Sequence, residues 1–156
     1  MKRYTLEILC AAASIAACGG GGQNIVGPEL FTYTAASEVT SNNPMRFRTA
    51  ITVTNPTSQD IDMVGQPCNT PRVLVYATAA RTGTPLWDSN NRTPACTTPG
   101  VSTKLAAGKS VTYTANVTGA EVLGASGSPG TYYITDRVSL SGVVAQALAG
   151  QLNLAR

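Results

Sequence analysis

The sequence predicts an all-β protein, an antiparallel β-sandwich of seven to eight strands. Three observations lead there. Past residue 28, apolar residues recur with a period of two rather than 3.6, the spacing of strands with one buried and one wet face. Turn chemistry built of Asn, Pro, Gly and Ser interrupts those runs at short intervals. The composition suits an exported β protein: 12% charged residues against 21 threonines, a β-branched type that fits a pleated surface.

The elements follow in order. Residues 30–36 form a first strand. Residues 45–54 alternate cleanly, with Met45, Phe47, Ile51 and Val53 on one face and Arg46, Arg48, Thr52 and Thr54 on the other. Asn55-Pro56-Thr57-Ser58 is a turn by chemistry, and residues 59–64 a short strand. Gly65 to Pro71 break it. Residues 72–78 are rich in β-branched types and read as a strand; residues 81–84 turn the chain into another at 85–88. Residues 89–100, with Asn, Pro, Gly and Cys96, form a long loop. Residues 110–117 put Val111, Tyr113, Ala115 and Val117 on one face. Residues 119–130 are a loop with one helical turn near 120–123. Residues 131–140 form a strong strand carrying Tyr132, Ile134, Val138 and Leu140 in phase. A hairpin begins at 142–145, and residues 148–154 return as the last strand. The count and spacing of strands place the sandwich in the immunoglobulin-like class, broadly defined.

The first eighteen residues are sequence of another kind. Lys2 and Arg3 precede an apolar run from Ile8 to Ala17 that ends in small residues, the layout of a secretory signal. At about ten residues the run is too short to span a bilayer, which needs about 20; Glu7 trims it further. Ile15-Ala16-Ala17-Cys18 resembles the lipobox of bacterial lipoproteins. That resemblance implies cleavage before Cys18, a diacylglycerol on its thiol and an acyl chain such as palmitate on its new amine. Each buried CH₂ adds about 0.8 kcal/mol, so several chains hold where one is marginal. Residues 1–17 are then the signal, 18–28 the lipidated cysteine and a Gly-rich tether, and 29–156 the sandwich domain. Gly19 rather than Asp follows the cysteine. By resemblance to lipoprotein sorting, this favours the outer membrane where the organism has one, and otherwise the cell envelope generally.

Cleavage leaves 139 of the 156 residues, enough for one domain with a single core. The chain's net charge is +3; Lys2, Arg3 and Glu7 carry +1 of it, so the mature protein is near +2. So weak and scattered a charge makes no nucleic-acid footprint. Of four cysteines, Cys10 leaves with the signal and Cys18 is lipidated. Cys68 and Cys96 remain, and an oxidising compartment pairs them as a disulfide.

Three segments are similar to the bacterial intracellular proteinase inhibitor domain, a small Ig-like sandwich. They are Ile51-Thr52-Val53-Thr54-Asn55-Pro56-Thr57-Ser58, then Gly83-Thr84-Pro85-Leu86-Trp87, then Leu105-Ala106-Ala107-Gly108-Lys109-Ser110 with Gly130-Thr131-Tyr132. Order and spacing agree over residues 45–140. Ala107 stands where that family has Pro, and Lys109 where it has Glu. The resemblance implies the fold, and proteinase inhibition as an alternative activity.

The chain has no histidine, which removes Ser-His-Asp and Cys-His catalysis and the usual zinc ligands. Lys104 and Lys109 lie near Ser102 and Ser110, as a loop entering a strand would place them. Asp60 and Asp62 share a strand face; a solvated edge that deters pairing explains them before a calcium site does. Arg46 and Arg48 share a face suited to phosphate or simply to water. Tyr132 and Tyr133 point to opposite faces, leaving at least one exposed. Trp87 is the candidate core tryptophan. No cofactor, metal or catalytic residue is expected. The sequence therefore describes a membrane-anchored exported lipoprotein that is not an enzyme. It would act as a binding or assembly module with a protein or envelope partner; proteinase inhibition and a structural envelope role are the alternatives.

The disulfide is directly testable. It encloses 27 residues, and such a loop contributes about 3–4 kcal/mol in the chain-entropy treatment. Unreduced mature protein should titrate with no free thiol, and two reactive thiols would rule out the Cys68–Cys96 bridge.

Overall fold

The computed structural model describes residues 30–65, 71–91, 101–124 and 127–155. Cys18, Cys68 and Cys96, with the lipid anchor and disulfide assigned to them, lie outside the described residues. The strands are β1 (Thr32–Asn42), β2 (Met45–Thr54), β3 (Ile61–Gly65), β4 (Arg72–Tyr76), β5 (Trp87–Asp88), β6 (Val101–Leu105), β7 (Ser110–Thr118), β8 (Gly130–Leu140) and β9 (Val143–Leu154). One helical turn, α1 (Gly119–Leu123), joins β7 to β8. The protein is an all-β antiparallel sandwich. One sheet has the order β1-β2-β7. In the other, β8 pairs β9 along one side. Along its other side run β4 and, by a bridge from Gly65 to Leu140, β3. Beyond these, β6 pairs β3 and β5 pairs β4.

The alternation in β2 sets the core. Met45, Phe47, Ile51 and Val53 are buried, with Thr49 among them, while Arg46 and Arg48 are exposed. Burying each such apolar side chain contributes about 1.5–3 kcal/mol. The interior forms two clusters. Phe31, Tyr33, Ile51, Val53, Met63 and Leu140 belong to the one at the end where β1 begins. Met45, Phe47, Val73, Ile134 and Leu154 belong to the other, at the far end. Val122 and Leu123 of α1 close that far end. The turn of helix expected near 120–123 starts at Gly119 because Thr118 and Glu121 form a capping box: Glu121 N donates to Thr118 Oγ1 at 3.2 Å and Thr118 N to Glu121 Oε2 at 2.8 Å.

Nine strands stand among the described residues, against seven to eight expected. The extra one is β6, an edge strand whose Ser102, Thr103 and Lys104 are all exposed and whose Leu105 is buried; one buried residue at its end gives little period-two signal. β1 runs on to Asn42 through polar, solvated residues for the same reason. The strands expected at 72–78 and 85–88 shorten to Arg72–Tyr76 and Trp87–Asp88. β9 starts at once after a two-residue turn, Ser141-Gly142, with φ of 49° and 79°. Both central residues at positive φ make the primed turn whose twist matches the strands it joins.

Asn55 ties the end of the sandwich where β1 begins. Fully buried, it donates from Nδ2 to the carbonyls of Gln59 (2.8 Å) and Leu105 (3.0 Å). Its Oδ1 accepts from Thr57 N (3.0 Å) and Thr57 Oγ1 (2.7 Å), and its own N–H reaches Lys109 O at 2.9 Å. One side chain thus joins the β2–β3 connection to the β6–β7 connection. Asn55→Ala should lower stability in urea melts by about 2–3 kcal/mol, because buried carbonyls lose their donor. Asn55→Asp, which keeps the acceptor and loses the donor, should not restore it.

Candidate functional site

Several of the charged residues singled out in the sequence have structural partners, while Arg46, Lys104 and Lys109 are exposed. Arg48 pairs with Glu38 across β1 and β2 at 2.5 Å. Asp60 Oδ1 accepts from Ala107 N at 3.1 Å and so fastens two connections. Asp62 stands opposite Lys104 in the β3–β6 register. Asp88 binds Arg72, whose Nε donates to both carboxylate oxygens at 2.9 and 3.2 Å. That hydrogen bond holds the Asp88 carboxyl below its ordinary range. Glu121 caps α1 and Asp136 accepts from Thr49, whereas Asp62 is exposed on its strand. Ser110 Oγ shares a hydrogen bond with Thr54 Oγ1 at 2.8 Å, and Ser110, Ser102, Lys104 and Lys109 are all exposed. No buried, desolvated lysine activates a serine among the described residues.

The aromatic expectations need correction. Trp87 is half-buried rather than a core residue, because it lies on two-residue β5 at the sheet's edge and packs against the second cluster from outside. Its truncation therefore removes less packing than loss of an enclosed tryptophan would. Neither Tyr132 nor Tyr133 is exposed; both are half-buried. Tyr132 packs against the second cluster and donates from its hydroxyl to Ser128 O at 2.7 Å. Tyr133 lies under Arg81, whose guanidinium carbon is 5.3 Å from the ring centre and whose Nη2 donates to Gly150 O at 2.9 Å.

Two arrangements escaped sequence reasoning. The first is the outer face of the β1-β2-β7 sheet. Register sets Thr32, Thr54 and Ser110 in one row and Thr34, Thr52 and Thr112 in the next. Thr52 and Thr112 hydroxyls are 2.8 Å apart, as are those of Thr54 and Ser110. Thr114 extends the array beside Ala36 and Ala50. The result is an uncharged, hydroxyl-lined area three strands wide, bounded by Glu38 and Arg48. The signal was present as Thr-x-Thr at 32–34, 52–54 and 112–114.

The second is Asp136, wholly buried on the inner face of β8. Thr49 on the facing sheet donates from Oγ1 to Asp136 Oδ2 at 2.5 Å. Asp136 Oδ1 has no hydrogen-bond partner among the described residues. Burial raises the carboxyl's pKa to about 7, and the Thr49 hydrogen bond, which lowers it, does not offset that.

No family model matches the chain, and no curated protein matches it. Among solved structures, the chain is similar to the Northeast Structural Genomics Consortium target SoR45, at 13% identity, over 81% of this chain and 87% of that one, with a TM-score of 0.39. It is similar also to a β-glucosidase, EmGH1 from Erythrobacter marinus, at 13% identity and a TM-score of 0.37, over 76% of this chain but 15% of the glucosidase. Likenesses this remote carry no argument about function.

The Asp136 carboxyl makes stability depend on pH in a stated direction. Its folded pKa, about 7, exceeds the unfolded value of about 3.9. The neutral acid therefore stabilises the fold fully below about pH 4, and that contribution is lost as pH rises through about 7. Urea melts should show Asp136→Asn erasing about 2–4 kcal/mol of pH dependence between about pH 4 and pH 8, most visibly as a gain at the alkaline side. A wild type equally stable at both, or more stable when alkaline, would contradict this.

Proposed function

We propose that this protein is a lipid-anchored, non-catalytic binding or assembly module of the cell envelope, presenting the hydroxyl face of its three-stranded sheet to a partner. The observation that carries the reading is how the polar groups are used. Glu38, Asp60, Asp88, Glu121 and Asp136 are committed to ion pairs, a turn, a cap and a core contact, histidine is absent from the sequence, and the widest uncharged polar area among the described residues is the set of threonine and serine hydroxyls on the β1-β2-β7 sheet. Such a surface offers donors and acceptors without charge. It suits a partner rich in hydroxyl or amide groups, such as envelope polysaccharide or the edge of another protein. The lipobox-like Ile15-Ala16-Ala17-Cys18 supports the anchor, and the Gly-rich composition of the segment after it suits a tether.

Anchor and face are tested separately. Cys18→Ser should abolish acyl labelling and shift the protein from the detergent phase to the aqueous phase; retention of acyl label would refute the anchor. Thr34→Lys with Thr112→Lys should abolish capture of the envelope component that the wild type retains, with the fold intact by circular dichroism. Undiminished capture would move the binding face elsewhere.

A further inference from the structure

We infer that the end of the sandwich carrying the β8–β9 turn rests against the lipid bilayer, with Val143, Val144, Val64 and Leu30 as its contact residues. The inference rests on the lipid-anchor reading and goes beyond it by fixing which end of the domain meets the lipid. Six large apolar side chains are exposed among the described residues, and these four are among them, at 41–58% exposure for the set. The four share one end. Ser141 N donates to Val64 O at 2.6 Å, which sets Val64 against the turn that leads into Val143 and Val144. Phe31, next to Leu30, packs in the same cluster as Leu140 and Ala145, which flank that turn. β1 and β9 both run away from this end, and where they pass, Ser37 Oγ donates to Ala149 O at 2.6 Å. Leu30, Val143 and Val144 therefore lie along one rim.

The same rim is where the chain departs toward Cys18. Eleven residues separate Leu30 from Cys18. For a Gly-rich composition of this length the mean end-to-end span is about 20 Å. A lipid on Cys18 thus holds this end, and not the α1 end, close to the headgroups. A tether this short presents the rim at an effective concentration near the millimolar range, so a small apolar patch suffices to dock it. Four of the six exposed large apolar side chains fall at this end, and clusters of that kind mark contact surfaces. Among the described residues the charges near this end balance, Asp60 and Asp62 against Lys104 and Lys109, and both lysines are exposed.

The test uses full-length lipidated protein in vesicles of phosphatidylethanolamine and phosphatidylglycerol. An environment-sensitive fluorophore is placed at Val144→Cys, at Val64→Cys and, for the far end, at Thr40→Cys. Shallow spin-labelled lipid should quench the label at positions 144 and 64 about twofold or more over that at 40, with a blue-shifted emission. Val143→Asp should lower the quenching at 144 toward that at 40 without releasing the protein from the vesicles. Vesicle flotation and the mass of the Cys18 peptide report the anchor independently. Acylated, vesicle-bound protein whose three labels are quenched alike overturns the docked rim and leaves the anchor standing. Protein that lacks acyl mass and does not float overturns both.

Discussion

A hydrogen bond between the two sheets, Thr49 to Asp136, is the contact on which the arrangement of the interior depends. Thr49 lies between Phe47 and Ile51 on β2, and Asp136 between Ile134 and Val138 on β8. Phe47 and Ile134 belong to one apolar cluster, Ile51 and Val138 to the other. The polar pair is thus the boundary that divides the core in two. β2 and β8 are each paired on both sides over most of their length. A slip of either strand by one residue would turn its whole inner face to solvent and would also strand a buried carboxyl without its hydroxyl, a penalty larger than the bond's own net contribution. The pair therefore specifies register more than it adds stability.

The two ends of the sandwich are closed by different means. At one, α1 is capped by its own Thr118 and Glu121 and lays Val122 and Leu123 over the core. At the other, the chain has connections rather than a helix, and Asn55 satisfies their buried carbonyls in the helix's place. Gly108, at φ 66° in the β6–β7 turn, lets the backbone bring Lys109 O to Asn55 N. An end built of polar clasps is rigid near its centre, yet leaves apolar residues such as Val64 and Val143 unpaired at its rim.

What was legible in the sequence follows from where each residue sits. The two-residue period of β2, β7 and β8 was plain because each has one buried and one solvated face. β6 and the second half of β1 were not, since edge strands with solvated side chains have no such contrast. Trp87 was read as core because large apolar residues usually are; its position on a two-residue edge strand is a tertiary fact that local pattern does not contain. Asp136 and Thr49 were recoverable. Both interrupt otherwise apolar inner-face series at the correct parity, and a charged residue in such a place must be neutralised or partnered. That two such interruptions face each other across the sandwich depends on how the sheets stack, which no single strand encodes.

These features also constrain how the domain can act. The Thr49–Asp136 contact in the core, the clasped connections at one end and the capped helix at the other tie the interior of the sandwich together. Recognition must then occur on its surfaces. The β1 edge lies along β9, and β5 and β6 leave only short strands on the opposite edge of the larger sheet. The hydroxyl array occupies a side face of the smaller sheet, parallel to the strands. In the proposed orientation, with the β8–β9 turn toward the lipid, the strands would stand away from the bilayer and that array would look out along it. A partner in the same envelope layer would meet the array first. The α1 end would be the part of the domain farthest from its anchor. Membrane contact and partner contact would then use different residues, so neither surface need be vacated for the other to be filled.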